Sequence, residues 1–296
     1  MRSNPPRPAR PTGRRGLAAA SVLCILTVLC IAAPLFEALS GLDPDRVDLF
    51  SRLEHPSAAH WLGTDELGRD TALRLLHGGR VSLAVGIAGA LAAAVLGTLV
   101  GLVAGYFGGW VDATLMRFTD GVAAAPLLPL LIVLAAVDLS KAGLPPEWAV
   151  SEAASVARIV VIVALFGWPG AARLVRGATL SVRERDYVRA AVGVGAGPLR
   201  IMVRHLLPNV ASPLLVAGTL AVGHVILLES VLSFLGLGIQ PPLPSWGNML
   251  NNAQELMASA PLIAVLPGAL IFVTVLAVNR LGDALQETLD PLARPG

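Results

Sequence analysis

Six long apolar runs constrain the fold of this chain more than any other feature. A helix needs roughly 20 consecutive apolar residues to cross a bilayer, and each run is close to that length or above it. Strands of a membrane barrel would be shorter and would alternate polar and apolar residues. The runs therefore predict an all-α, polytopic integral membrane protein with about six transmembrane helices. They cover approximately residues 17–39, 82–106, 114–137, 156–175, 206–232 and 261–278.

The composition agrees with this class. Hydrophobic residues make up 55% of the chain and charged residues only 14%, and the mean hydropathy is +0.70. A soluble domain usually carries about 25% charged residues. The net charge of +2 is too small to indicate a nucleic-acid partner.

The arginines predict the orientation in the membrane. Cytoplasmic segments retain positive charge, and arginines are concentrated in the N-terminal tail and in the loop after the fourth apolar run. Four spans separate these segments, so both are predicted to be cytoplasmic, while residues 40–80 and 238–248 are predicted to be extracytoplasmic. The arginines are Arg2, Arg7, Arg10, Arg14 and Arg15 in the tail, and Arg176, Arg183, Arg185, Arg189, Arg200 and Arg204 in the loop.

The first apolar run allows two interpretations. Arg14 and Arg15 precede it as they would in a twin-arginine signal peptide. The run is longer than an ordinary signal-peptide core, and no clean small-residue cleavage site follows it. An uncleaved membrane anchor is therefore favoured over a cleaved signal.

Residue counts argue against catalysis or metal binding by this chain. Its single lysine, Lys141, is followed by alanine, whereas a P-loop needs Gly-Lys-Ser/Thr. Cys24 and Cys30 point to different faces of one predicted helix and cannot pair with each other. The 5 histidines lack metal-ligand spacing. We expect no ATP site, no catalytic residue and no metal site here.

Residues 186–209, DYVRAAVGVGAGPLRIMVRHLLPN, form a basic stretch between two apolar runs. One short helix is predicted over residues 183–192 and a second over residues 198–206. Glycine suits a tight turn with positive φ, and proline suits the first turn of a helix. The prediction is a projecting knob whose bend leaves little room for a side chain at Gly195; a basic loop that only faces lipid is the alternative. The helices are separated by Gly193, Gly195 and Gly197, and the second one opens with Pro198.

The order and spacing of this stretch resemble the cytoplasmic coupling loop of ABC importer permeases. Ala190-Ala191, Gly195 and Leu207-Pro208 match the EAA, glycine and LP positions of that loop. Other segments extend the likeness, over nearly everything from residue 60 to residue 291, to the C-type permease subunit of dipeptide, oligopeptide and nickel importers. These segments are HWLGTDELGRDTALRLLHGGRVS (60–82), GYFGGWVDATLMRFTD (105–120), LSFLGLGIQPPLPSWGNML (232–250) and NRLGDALQETLDP (279–291).

The resemblance implies a type I ABC importer permease fold in the bacterial cytoplasmic membrane, with both termini cytoplasmic. Implied partners are a B-type permease subunit, two ATP-binding subunits, an extracytoplasmic solute-binding protein and membrane lipid. The chain would hold no cofactor, because ATP and Mg would bind to the ATPase subunits. Di- or oligopeptides are the expected substrates, and nickel or another small solute stays open. A secondary transporter is a remoter alternative, because its spans would normally carry buried charge relays.

The implied layout has five parts. A disordered cytoplasmic tail (1–16) precedes the first transmembrane helix (17–39) and an extracytoplasmic segment (40–80). The permease core (81–283) contains the coupling loop (181–209), and a cytoplasmic tail (284–296) follows.

The resemblance assigns ATPase coupling to a set of residues in this loop. Arg189 stands where the family has glutamate, which reverses a charge beside the docking surface, and His205 stands at an isoleucine position. The coupling residues are Asp186, Tyr187, Arg189, Ala190, Ala191, Gly195, Pro198, Leu199, Arg200, His205, Leu207 and Pro208.

Two ionisable residues in the fifth apolar run are candidates for the translocation path. Glu229 either faces that path or ends its helix with a hydrogen bond to a neighbouring backbone. For His224, a neutral hydrogen bond between helices is favoured.

The proline loop, residues 238–248 (GIQPPLPSWGN), is a candidate for binding-protein contact or for an outer gate. Its prolines stiffen it, and Trp246 offers a large amphipathic surface. Anchoring of Trp246 at the lipid headgroups is the alternative. The candidate residues are Gln240, Pro241, Pro242, Ser245 and Trp246.

A glycine stripe marks the second apolar run. Gly97, Gly101 and Gly105 repeat every four residues, so they share one face of a helix. The stripe predicts close packing of another helix on that face.

Overall fold

A computed structural model describes residues 12–137, 145, 147, 151–251 and 253–289. Within these residues the regular structure is helical, apart from one isolated bridge between Thr64 and Asp70, so the all-α prediction is confirmed. The predicted tail residues 1–11 and 290–296, and Lys141, lie outside the described residues. The helices are α1 (Thr12–Ile31), α2 (Ala33–Ser40), α3 (Thr71–Phe107), α4 (Gly109–Ala124), α5 (Leu127–Ala135), α6 (Glu152–Arg183), α7 (Asp186–Gly193), α8 (Pro198–Phe234), α9 (Ala253–Leu256) and α10 (Pro261–Leu289), with 3-10 turns at Leu49–Ser51 and Asn248–Leu250.

Four of these helices, α3, α6, α8 and α10, are long and apolar enough to cross a membrane. The first and third apolar runs are bent: α1 meets α2 at 47°, and Gly109–Ala124 meets Pro129–Ala135 at 85°. Proline explains both breaks, because it lacks a backbone donor and disfavours helix in the residue before it. Pro34 lies in the first turn of α2, and Pro126 precedes α5. The described residues thus hold four spans, or up to six if each bent pair is one span.

Helix ends differ from the ends of the apolar runs. Helix α3 begins at Thr71, well before residue 82, because the Asp70 carboxylate accepts from the Leu73 amide at 2.8 Å and caps the helix. Helix α10 continues to Leu289, beyond residue 278. Helix α1 begins at Thr12, inside the stretch predicted to be a disordered tail. Hydropathy detects the apolar part of a helix, whereas caps and packing decide where the helix ends.

The glycine stripe packs directly against α6. A Cβ atom added at Gly97 would lie 2.7 Å from the carbonyl oxygen of Trp168, and one at Gly101 would lie 2.5 Å from that of Ala172. At Gly105 it would lie 2.7 Å from Cβ of Thr179. The prediction of a tightly packed helix along this face is therefore confirmed, and the absence of side chains is what allows the two backbones to approach.

The segment between α2 and α3 folds over the end of the bundle around Arg74. This guanidinium is only 4% exposed, and its Nη1 donates to Asp45 Oδ1 at 2.7 Å and to the carbonyl oxygen of Pro44 at 3.2 Å. Asp65 lies 3.6 Å from Arg74 Nε and pairs with Arg69 at 2.7 Å. A buried guanidinium needs such partners, so these contacts tie the segment to α3.

Candidate functional site

The predicted coupling stretch forms a bent knob beyond the ends of the long helices. Helix α7 ends at Gly193, and the chain turns through Gly195, whose φ is +84°. The Gly195 amide donates to the carbonyl oxygen of Val192 at 2.9 Å, and Ala196 donates to Ala191 at 3.0 Å. The bend at the glycines is confirmed.

Two details of the predicted knob are wrong. The second helix does not end near residue 206, because it continues through a π-helical turn at Met202–Leu206 into the membrane-crossing part of α8. The bend is also roomy, since a Cβ atom added at Gly195 would meet no atom within 4 Å. The requirement for glycine there comes from the positive φ.

An apolar cluster beneath the knob fixes it to the bundle. Val188 of α7 and Ile201 and Leu206 of α8 are fully buried or nearly so. They pack with residues of α3, α6 and α8, namely Leu102, Val175, Val182 and Val210. This anchor was missed from the sequence, because Ile201 and Leu206 are five positions apart and would not share one face of a regular α-helix. The π-helical turn at Met202–Leu206 lies between them, and both residues pack in the cluster.

The opposite side of the knob is open. Val194 is 90% exposed and Leu199 is 72% exposed, and Val192 and Tyr187 add further exposed apolar surface. Contiguous exposed apolar residues mark sites of protein or membrane contact. Of the predicted coupling residues, Asp186, Tyr187, Arg189, Ala190, Gly195, Pro198, Leu199, Arg200 and Pro208 are exposed, and Ala191, His205 and Leu207 are half-buried.

Arg189, the residue that departs from the family pattern, has a partner within the chain. Its Nη2 lies 2.5 Å from Oε2 of Glu184. The hydrogen bond and charge of Arg189 lower the pKa of the Glu184 carboxyl. Both side chains are more than half exposed, so this pair shapes the charge of the surface more than it stabilises the fold.

Arg183 joins the knob to the end of α3. Its Nη1 donates to the carbonyl oxygens of Gly105 and Tyr106 at 3.1 and 3.0 Å. These carbonyls belong to the last turn of α3, where no further helical amide is available. The contact connects the knob to the helix that carries the glycine stripe, whereas the sequence indicated only a basic stretch.

The two ionisable candidates of the fifth run have opposite environments. Glu229 is 0% exposed and is enclosed by this chain, so the prediction that it faces an open path is wrong. Its Oε2 accepts from Ser82 at 3.1 Å and its Oε1 accepts from Ser233 at 2.7 Å. His224 is exposed and borders a small apolar cavity with Leu131; its predicted hydrogen bond is not found among the described residues.

The proline loop is divided into an exposed tip and a buried base. Gln240, Pro241 and Pro242 are exposed. Ser245 and Trp246 are 0% exposed, so the predictions that Trp246 contacts a partner or anchors at the headgroups are both wrong.

Backbone contacts with α3 explain why this tryptophan is inside. The indole Nε1 of Trp246 donates to the carbonyl oxygen of Leu75 at 2.9 Å. A Cβ atom added at Gly79 would lie 2.7 Å from Cζ2 of Trp246. Glycine on α3 therefore opens a slot that fits the indole, and the carbonyl satisfies its polar edge.

A protein-family model described as "Binding-protein-dependent transport system inner membrane component" matches residues 97–295. The chain is 41% identical over 284 residues to the glutathione transport system permease protein GsiD of Pectobacterium atrosepticum, covering 94% of this chain and 88% of that protein. It is 39% identical over 284 residues to GsiD of Escherichia coli, covering 94% and 87%.

The fold has a solved counterpart. A chain of the MetNI methionine ABC transporter, in an inward-facing form, superposes with a TM-score of 0.54 at 18% identity, covering 72% of this chain and 96% of that one. The family model matches most of the chain, and the two GsiD relatives cover nearly all of it. The knob and the packed spans agree with this family. The chain belongs to the binding-protein-dependent transport system inner membrane components, as a permease subunit of an ABC importer of the peptide and nickel family.

Proposed function

We propose that this subunit imports small peptides of the glutathione class, and that residues 181–209 receive the motion of an ATPase subunit. The observation that carries the proposal is the exposed apolar and basic surface of the knob on an anchored base. The GsiD relatives support the substrate class, because their names specify glutathione, which is a tripeptide. A nickel chelate or another small solute is the second candidate.

The proposed complex contains this chain, a B-type permease, two ATP-binding subunits and a solute-binding protein on the other side of the membrane. ATP and Mg would bind to the ATPase subunits. Arg185, Arg200 and Arg204 are exposed and form no ion pair among the described residues, so they are available to acids of a partner. Membership in the ABC importer family decides against the secondary transporter.

The proposed orientation places the knob and both termini in the cytoplasm and the proline loop outside. Its support is the asymmetry of arginines between the knob and the proline loop. In this orientation α8 runs from the knob to the proline loop as one helix of 37 residues, about 55 Å long at 1.5 Å per residue.

Uptake in proteoliposomes tests the function. The complete complex would be reconstituted with its binding protein and supplied with radiolabelled glutathione, a dipeptide or Ni²⁺, with and without ATP. We expect ATP-dependent accumulation of glutathione or the dipeptide. Accumulation of Ni²⁺ alone would favour the second candidate, and ATP-independent accumulation would contradict the proposed coupling.

A further inference from the structure

The buried carboxylate of Glu229 lies where α3, α8 and the base of the proline loop meet. Ser82 of α3 and Ser233 of α8 each donate to one of its oxygens, at 3.1 and 2.7 Å. Each serine also accepts a backbone amide of the loop: Trp246 donates to Ser82 Oγ at 3.1 Å, and Ile239 donates to Ser233 Oγ at 3.0 Å. Two loop amides are thus connected to one carboxylate through two hydroxyl groups.

The direction of these hydrogen bonds is fixed by chemistry. A backbone N–H can only donate, so each serine oxygen must use a lone pair for the loop amide and its own hydrogen for Glu229. A residue at position 229 must therefore accept at two points at once. A carboxyl group keeps an acceptor lone pair on each oxygen in either protonation state, whereas an amide side chain would present one acceptor and one donor. Each of these serines is also buried, so an unmatched group there has no water to replace its partner.

The base of the loop has further support, and the Ser245 hydroxyl of the loop also interacts directly with the Glu229 carboxyl. Asn248 donates to the carbonyl oxygens of Ile239 and Leu243 at 3.3 and 2.8 Å, and the Ser245 amide donates to Asn248 Oδ1 at 2.9 Å. These bonds hold the residues of the loop base together as one structural unit. The indole of Trp246 attaches that unit to α3 through Leu75, and the set formed by Ser82, Ser233 and Glu229 attaches it to α3 and α8 at one point.

We propose that Glu229 is a positioning residue that makes the proline loop move with α8 during transport. Helix α8 begins inside the knob at Pro198 and ends next to Glu229 and Ser233, so displacement of the knob shifts the attachment point of the loop. Ser82 holds the other side of the base against α3. The movement of the loop during transport rests on the proposed coupling role of residues 181–209, whereas the attachment of the loop to the helices does not.

Amide hydrogen exchange tests the attachment without any transport assay. Ser82→Ala, Ser233→Ala and Glu229→Gln would each be compared with wild type in the complete complex in nanodiscs. We expect exchange at Trp246 to rise roughly tenfold or more in Ser82→Ala, at Ile239 in Ser233→Ala, and at both in Glu229→Gln, with α8 still protected. The serine variants keep the test decisive if Glu229→Gln fails to assemble.

Uptake per ATP hydrolysed tests the motion. We expect this ratio to fall severalfold in the variants with faster loop exchange. Thr98→Val is the matched control, because Thr98 is a buried hydroxyl of α3 that donates to Ala94 of its own helix. Thr98→Val should change neither amide exchange in the loop nor uptake per ATP hydrolysed. Unchanged exchange in all three variants, or faster exchange with an unchanged ratio, would overturn the proposal; a wild-type complex that imports no peptide would instead contradict the proposed function.

Discussion

Arg176 of α6 and Asp112 of α4 form a two-pronged ion pair, with Nε 2.5 Å from Oδ1 and Nη2 2.6 Å from Oδ2. Two parallel bonds of this kind fix the relative orientation of the groups as well as their distance. The pair holds α4 against α6 near the corner where α4 follows α3 after a single residue, Gly108.

Loss of this pair should weaken the fold modestly. Arg176 is 35% exposed and Asp112 is 16% exposed, so screening limits the effect, and Asp112→Asn should lower the free energy of unfolding by roughly 1 kcal/mol. A double-mutant cycle with Arg176→Ala, followed by thermal unfolding in detergent, measures the coupling. Asp120→Asn is the control, because its pair with Arg173 is more exposed. Equal effects at the two pairs would contradict the expectation.

A methyl group on the glycine stripe should separate α3 from α6. Gly101→Ala would place Cβ 2.5 Å from a backbone oxygen that cannot rotate away, so we expect a loss of about 1–3 kcal/mol in unfolding free energy. Gly177→Ala on α6, where an added Cβ meets nothing within 4 Å, should be neutral or slightly stabilising. The measurement is the unfolding temperature of each purified variant, and similar values for both would refute close packing as the role of the stripe.

The bend of the knob should depend on backbone conformation and not on space. Gly195→Val should strain the positive φ by about 1–2 kcal/mol or more and reduce ATP-driven uptake. Gly195→Asn should behave nearly as wild type, because asparagine tolerates this region. Gly193→Val is the control, since neither positive φ nor a close neighbour is present there. Loss of uptake in Gly195→Asn with correct membrane insertion would point to a steric requirement at the docking surface instead.

The contact between Glu184 and Arg189 should depend on pH in a defined direction. The folded-state pKa of Glu184 is depressed, so the contact is fully formed above the ordinary glutamate pKa and is lost as the pH falls through the lower, folded value. Carbon-13 NMR of the Glu184 carboxyl in nanodiscs should give a titration midpoint below 4.5. Arg189→Ala should raise that midpoint, and an unchanged midpoint would assign the shift to another group.

Cysteine labelling can establish the orientation. A cysteine at Gln240 should react with an impermeant maleimide from outside intact cells, and one at Ser181 should react only from the cytoplasmic side, because both positions are exposed on opposite ends of the bundle. The native Cys24 and Cys30 are replaced first. A cysteine at the fully buried Ser245 serves as the unreactive control. Reversed labelling would reverse the proposed orientation of the knob and the proline loop.

Apolar periodicity and turn chemistry determined much of this molecule from the sequence. The long apolar runs predicted an all-α membrane fold because every backbone group in lipid must be satisfied within its own segment. The spacing of Gly97, Gly101 and Gly105 predicted a packed face, and Gly195 predicted a bend. Each of these features depends on residues close together in the chain, so local patterns are sufficient to reveal them.

Only the tertiary structure decided what the polar residues do. Ser82 and Glu229 are 147 positions apart, and no local pattern predicts that they meet. The residue type of Trp246 predicted a position at an interface, but a slot at Gly79 on a distant helix encloses it. Glu184 offsets the unusual charge of Arg189. A polar group can be buried only where hydrogen-bond partners surround it, and here those partners come from distant parts of the chain. Helix packing brings them together, and the order of residues alone does not display that packing.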